Sequence, residues 1–359
     1  MRTPHRAARR AAAALVAILV LVPAGTAMAC GGLIAPNGAI SLQRTTTLAA
    51  YHRGVEHYVT SFTFAGKGAT EVGSIVPLPG VPTKVVKGGD WTLQRLVLET
   101  QPQTFRSAAL FAEDAAASAA PEVLLETKIA ALDITVLKGG GTAVGNWARE
   151  HGYFLPPDAP EILDFYAERS PIFMAARFDA ERADRRGIGE GQGTPIHVVI
   201  PTPNPWVPLR ILSLGLQPTD LVQADVYLLT DTRPATLPQA ERSSDDPEQR
   251  GLIQEVSAPA SDSLLGDLRS DRGMRWLPRD GMWLTYLRVS ERAGDLTHDL
   301  AIDASGFGQP DPIAAGFDRP AVTEAPLSPI GWLVLGTFAI VLAMMAVERR
   351  RQATGRRAA

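Results

Sequence analysis

The chain has 359 residues, 45% of them hydrophobic and 20% charged, a globular composition rather than a disordered or low-complexity one. Overall charge is −3, but the stretch from Gly31 to Ala325 carries 26 Lys and Arg against 37 Asp and Glu, a net of −11. That balance argues against nucleic acid or anionic lipid as partners of this stretch. With one cysteine, no disulfide can form within the chain, so an apolar core must supply the stability.

Arg2, Arg6, Arg9 and Arg10 form a basic start, residues 11–22 are apolar throughout, Pro23 interrupts them, and Ala27-Met28-Ala29 follows. A charged stretch, an apolar run and a small-x-small site in this order make residues 1–29 a cleavable secretory signal, cut near Ala29. Read as a helix, the apolar run spans about 18 Å, too short for a hydrocarbon core of about 30 Å. The mature chain then begins near Cys30. An unmodified start is the expectation, with lipid modification of Cys30 as the alternative. Ala27 stands where a lipid-attachment signal usually has leucine.

The first part of the exported domain reads as strands. Residues 57–64 (HYVTSFTF) alternate and are rich in β-branched and aromatic side chains, and residues 72–78 and 93–100 follow, punctuated by glycine turns. In residues 105–119, Phe105, Ala108, Ala109 and Ala112 share one helical face, which predicts a helix. Residues 124–137 return to strand. A helix is expected from Thr142, with Val144, Trp147, Ala148 and His151 at helical spacing and Gly152 as its stop. Asp158 and Glu161 have the spacing of a capping box before the apolar stripe Ile162, Phe165, Tyr166. Strands resume at 172–178, 195–200, 209–214, 222–230 and 282–289, while the charged residues 241–251 read as a mobile loop. Residues 304–329, rich in Gly, Pro and Asp, read as a flexible stalk that closes a domain of residues 30–303.

No charge occurs between Glu324 and Glu348, and residues 330–347 (IGWLVLGTFAIVLAMMAV) have the length and polarity of a transmembrane helix. Arg349, Arg350 and Arg351 follow, with Arg356 and Arg357 behind them. Basic flanks stay cytoplasmic, so residues 348–359 are expected inside and the domain outside, in a single-pass membrane protein of the cell envelope.

Many strands with few helices between them predict an α+β domain of mainly antiparallel sheet, joined to one C-terminal transmembrane helix. Residues 60–64 and 73–82 (GSIVPLPGVP) are echoed by residues 174–178 and 194–208 (TPIHVVIPTPNPWVP), each being strand, glycine loop, strand and spaced prolines. Two duplicated halves, or two hairpins that happen to leave their sheets through prolines, both fit this echo.

Several of these segments carry a resemblance. Cys30-Gly31-Gly32, residues 73–79 (GSIVPLP), 146–156 (NWAREHGYFLP) and 206–211 (WVPLRI) are similar to a family of exported bacterial proteins known as domain of unknown function family 2330. The resemblance runs from Cys30 to about Pro234. It implies an envelope location and supplies neither an activity nor catalytic residues. The second cysteine that the family pattern places shortly after Cys30 is missing, and with it any disulfide there.

No motif commits the chain to catalysis. Ser263 in Ser-Asp-Ser-Leu and His298 in Asp-x-x-His resemble esterase blocks, but both lie late in the chain and no nucleophile elbow occurs. His52, Glu56 and His57 are close in sequence, yet Gly54 and the β-rich surroundings put them in a turn and strand rather than on one helical face. His197, in an apolar strand, and His151, at a helix end, read as structural. Gly139-Gly140-Gly141 and residues 187–193 (GIGEGQG) lack the spacing of phosphate loops, and Asp245-Asp246-Pro247-Glu248 lacks the alternation of a calcium loop. Catalytic, cofactor and metal residues are therefore assigned to none. The expected function is a non-catalytic envelope module that binds a protein or polymer. The alternative is an envelope hydrolase whose residues converge only in the fold.

Overall fold

The computed structural model describes residues 45–61, 73–100, 121–153, 155–179, 182, 185, 194–306 and 308–317, and the backbone of short strands at 32–34, 41–42 and 64–65. The signal residues Ala27, Ala29 and Cys30, the expected helix at 105–119, the glycine run 187–193, the apolar run 330–347 and Arg349, Arg350 and Arg351 lie outside the described residues. Among the described residues no helix is long and apolar enough to cross a membrane.

The first strands are β1 (Gly32–Ile34), β2 (Ser41–Leu42), β3 (Thr45–His52), β4 (Val55–Ser61), β5 (Phe64–Ala65), β6 (Gly73–Pro77) and β7 (Lys84–Lys87). Helix α1 (Thr92–Thr100) precedes the hairpin β8 (Glu122–Ile129) and β9 (Leu132–Lys138), then α2 (Gly141–Glu150) and α3 (Ala159–Ala167). The remainder is β10 (Ile172–Phe178), β11 (Ile196–Pro201), β12 (Trp206–Val207), β13 (Leu221–Thr230), β14 (Ala235–Leu237), β15 (Glu241–Arg242), β16 (Gly251–Pro259), α4 (Asp262–Ser270), β17 (Trp283–Arg292) and β18 (Leu300–Asp303).

Eight strands form one sheet in the order β15-β16-β17-β13-β3-β4-β11-β7, and five form a second in the order β1-β6-β10-β9-β8. A three-stranded sheet, β12-β18-β14, and the pair β2-β5 complete the set. Pairing is antiparallel except where β13 meets β3 and β15 meets β16. The fold is α+β, with mostly antiparallel strands and four short helices among the described residues.

Both faces of the large sheet are buried, and the pleat assigns alternate residues to each. Ala49, Tyr58, Val198, Val226 and Leu228 face one way, in an apolar cluster shared with Ile75, Ile134 and Phe173 of the five-stranded sheet and with Val144, Trp147, Ile162 and Leu163 of α2 and α3. Leu48, Ala50, Val59, Tyr227 and Tyr286 face the other way and meet Leu93 and Leu96 of α1 and Leu264, Leu265 and Leu268 of α4. Gly73 opens β6 because no side chain fits there: a Cβ would lie 2.0 Å from the Tyr153 ring.

The two echoing segments pair with each other at both ends. β4 pairs with β11 in the large sheet and β6 with β10 in the smaller one, so each segment gives one strand to each sheet. Where β6 ends at Pro77, the Leu78 N–H donates to the Ile172 carbonyl (2.9 Å), and the Ser170 hydroxyl donates to the Leu78 carbonyl (2.6 Å). Where β11 ends at Pro201, the Thr202 N–H donates to the Gly54 carbonyl (3.1 Å), and the Tyr51 hydroxyl donates to the Thr202 carbonyl (2.9 Å).

Five local expectations are corrected. Residues 93–100 are helix α1, not a strand, since Leu93 and Leu96 at helical spacing bury one face. Residues 209–214 contain a 3-10 turn, Arg210–Ser213, rather than a strand. The capping box does not form: Asp158 accepts from the Gly215 amide at 2.9 Å and Glu161 pairs with Arg210. Residues 304–317 begin the expected stalk by composition, yet Ala304, Ala314 and Ala315 are buried, and the compact unit reaches Phe317 rather than ending at 303. Residues 241–251, read as a loop, include β15 and a turn in which Gln249 holds both Ser244 and the Arg242 carbonyl.

Candidate functional site

Alternation along β4 separates neighbours in sequence. Tyr58 and Glu56 point toward the five-stranded sheet, while Val59 and His57 point toward α1 and α4. His52, Glu56 and His57 therefore do not converge: the sheet itself stands between Glu56 and His57, and His52 is tied to Asp231 at 2.6 Å.

What does converge is His57 with His197. Val199 of β11 stands directly opposite His57 and His197 opposite Val59, so the two imidazoles are diagonal neighbours on one face. His57 Nδ1 lies 3.0 Å from His197 Nε2. Trp276 stacks on His57 with ring centroids 3.5 Å apart and planes 7° from parallel. The indole Nε1–H is buried without a hydrogen-bond partner.

Trp276 is held there by the loop after α4. The Asp271 carboxylate accepts from the amides of Asp90 and Trp91, both at 3.0 Å, from the Thr92 hydroxyl at 2.7 Å and from the Arg272 amide at 2.7 Å. It thus caps the start of α1 from across the fold, where a carboxylate also suits the helix dipole. These donors hold Asp271 below the usual carboxylate range although burial, the largest influence, works against them. Gly273 turns the loop through a φ of +78°, and Met274 and Leu277 anchor it in the core.

Both histidines are neutral at ordinary pH. Burial first, then His197 and His52, bring His57 down to about 3. Burial and the charge of Lys84 bring His197 down to about 4. On the opposite face Glu56 is fully buried, neither carboxyl oxygen has a hydrogen-bond partner, and burial raises it to about 8. The Trp206 amide opposes that rise from outside hydrogen-bonding geometry and does not offset it. Across the ladder, Tyr51 stands opposite Glu56, but its hydroxyl is committed to Thr202.

A second buried acid, Asp299, is fully satisfied. Its Oδ1 accepts from the Tyr166 hydroxyl (2.7 Å) and from the Leu209 and Arg210 amides (2.8 and 2.9 Å), and its Oδ2 pairs with Arg169 at 2.9 Å. Arg169 lies over the Phe165 ring at 3.8 Å and also donates to the Ala314 carbonyl. This node joins α3, the 3-10 turn, the start of β18 and residues 314–315.

The remaining candidates serve the architecture. Ser261 caps α4 by accepting from the Leu264 amide at 3.1 Å, and Ser263 is exposed on that helix. His298 stacks on Phe317 with centroids 3.8 Å apart, so the two esterase-like blocks are not brought together as a dyad. His151 stacks on Trp147 and its Nδ1 contacts the Trp147 carbonyl. Gly139-Gly140-Gly141 leads into α2, with Gly141 packed against Asp164. Asp246 accepts from the Glu248 amide within its own turn. Among the described residues no three or more His, Cys, Asp or Glu side chains are grouped to hold a metal. Trp276, Asp271 and the burial of Glu56 escaped the sequence reading. Only the alternation of β4, which puts an acid on an inward face, signalled any of the three.

The chain belongs to the bacterial family described as "uncharacterized protein conserved in bacteria (DUF2330)", whose profile matches residues 23–301. The match runs past Pro234, where the sequence resemblance ends, through β17 and into β18. No curated protein and no solved structure matches the chain.

Proposed function

We propose that this member of the family is an exported, single-pass protein of the cell membrane. Its domain stands outside, its basic tail lies in the cytoplasm, and it works as a non-catalytic module that binds an envelope protein or polymer. The observation that carries the location is the charge-free run at 330–347 followed at once by Arg349, Arg350 and Arg351, with the signal-like residues 1–29 at the other end. A five-arginine tail fits a cytoplasmic end and does not fit a buried core helix.

Support for binding rather than catalysis comes from what the polar groups do. Ser261 caps a helix, His52 is held by Asp231 and His298 lies on Phe317. Ser261, His52 and His298 are thereby given structural tasks. The net charge of −11 between Gly31 and Ala325 favours a neutral or basic partner over nucleic acid.

We also read the two halves as the product of duplication. The reciprocal pairing of β4 with β11 and β6 with β10 supports it, as do the matched bonds at Leu78 and Thr202 after each strand's terminal proline.

The test is the mass and protease sensitivity of the protein in spheroplasts. Loss of residues 1–29, with digestion of the domain from outside and survival of a membrane-bound C-terminal fragment, is the expected result. Retention of Met1, or protection of the domain until the membrane is opened, would contradict it. A diacylglycerol on Cys30 would replace the unmodified start with the lipoprotein reading.

A further inference from the structure

We propose that His57 and His197 are the protein ligands of an open site for a borderline transition-metal cation of the zinc and copper(II) class. Solvent completes the coordination, and Trp276 forms the wall that fixes the His57 ring. This goes beyond the location and binding role above and does not depend on either.

The two imidazoles come from positions 140 residues apart, so the register of β4 against β11 brings them together rather than any local turn. In most folds a buried histidine is oriented by a carboxylate or a carbonyl. Here the polar contact shown for these rings is with each other. One nitrogen must donate the shared proton and the other accept it; when a cation binds, solvent carries that proton to the donor ring's other nitrogen, and each facing nitrogen then gives the metal a lone pair. Imidazole nitrogens are the ligands that zinc and copper(II) favour, whereas magnesium and calcium require oxygen.

The geometry is close to what such a cation needs. Two metal–nitrogen bonds of about 2.0–2.1 Å meeting near the tetrahedral angle set their nitrogens about 3.3 Å apart. The resting separation of 3.0 Å is a few tenths of an ångström less. Both rings sit on rigid strands, His197 is 3% exposed, and the stacked indole holds the His57 plane. That is the service that groups behind a ligand usually perform.

The Trp276 Nε1–H supplies a second observation. It is a buried donor with no acceptor, and leaving such a group unpaired is costly. A metal bound by only two side chains carries water or hydroxide at its open positions, which are acceptors. Two protein ligands also make the site exchangeable and weaker than a closed structural one. His52 is on the same face but is held by Asp231, and Glu56 is on the other face, so neither is a ligand.

The experiment uses the full chain in detergent, without a histidine tag, near neutral pH. Calorimetry with zinc chloride should give one saturable equivalent. His57→Ala and His197→Ala should each weaken it by about tenfold or more, and His52→Ala and Cys30→Ser should leave it unchanged. Copper(II) should quench tryptophan fluorescence with the same stoichiometry and be displaced by zinc. Trp276→Phe should lose that quenching and bind zinc more weakly than wild type in the calorimeter, with the same stoichiometry. Should buried His197→Ala fail to melt cooperatively, His57→Gln, at a half-exposed position, decides the matter. Zinc binding equal to wild type in the folded His57 variants, or only unsaturable binding in the wild type, would overturn the proposal.

Discussion

Two buried acids are provided for differently: Asp299 has partners on both oxygens and Glu56 has none. At Asp299, where α3, the 3-10 turn and β18 meet, four donors converge on one carboxylate and Arg169 balances its charge. At Glu56, near the start of β4, neither carboxyl oxygen has a hydrogen-bond partner, and the carboxyl is raised to about 8. Burial raises the carboxyl in both, and at Asp299 it does so against Arg169, the Arg210 amide and the Tyr166 hydroxyl. The difference lies in what the chain brings. At Asp299 a side chain of α3, Arg169 just after it and two amides at the 3-10 turn point inward, whereas the amides beside Glu56 are largely spent on the ladders to β3 and β11. An acid at a junction can be given a full set of partners; an acid on the inner face of a sheet is left without them.

The largest effect should come from breaking the satisfied node. Asp299→Ala leaves the Arg169 guanidinium, two amides and the Tyr166 hydroxyl without their acceptor, and should destabilise the fold by about 3–5 kcal/mol in denaturant titrations. Tyr166→Phe removes one donor and leaves the Ile211 amide, which donates to the phenol oxygen at 2.8 Å, unpaired. A loss of about 1–3 kcal/mol is expected in the same assay. Smaller still is Ser261→Ala, which removes the α4 cap at a cost of about 1 kcal/mol. Ser263→Ala, exposed on the same helix, should change stability by less than about 0.5 kcal/mol and leave any cellular role of the protein intact. Loss of that role at normal protein levels would favour the envelope-hydrolase alternative.

Which parts of this were legible follows from where each signal resides. Strands β10, β11, β13 and β17 were readable because their β-branched and apolar runs are local and bounded by turn residues. Helix α1 was not: residues 93–100 mix leucine and valine in a run that suits either state, and the group that caps it, Asp271, is 180 residues away. The 3-10 turn at Arg210–Ser213 likewise depends on Asp299 drawing in the Leu209 and Arg210 amides, a contact no local pattern encodes. Residues 304–317 look like a stalk in composition, yet the Ala315 carbonyl accepts from the Asp299 amide at 2.9 Å, and the Ala314 carbonyl serves Arg169. Of the candidate site, His57 and His197 were visible singly. Their meeting required the register of two strands, and Trp276 sits in a loop without periodicity.

The neutral state of Glu56 is the claim on which the comparison turns, and its pH dependence is the direct test. From its ordinary 4.5 up to about 8, the native carboxyl holds a proton that the unfolded chain has already released. Its contribution to stability is therefore complete below 4.5 and is lost as pH rises through about 8. His57 and His197 act in the other direction, contributing above 6.5 and losing that contribution as pH falls through about 4 and about 3. This acid limb is common to wild type and Glu56→Gln, so it cancels in their difference. The measurement is the unfolding free energy of both proteins across that range. Wild type should fall relative to Glu56→Gln between 4.5 and 8, with a slope of up to about 1.4 kcal/mol per pH unit. Parallel curves, or a wild type that gains on the glutamine variant as pH rises, would mean that Glu56 is ionised and paired in the fold, and would contradict the account.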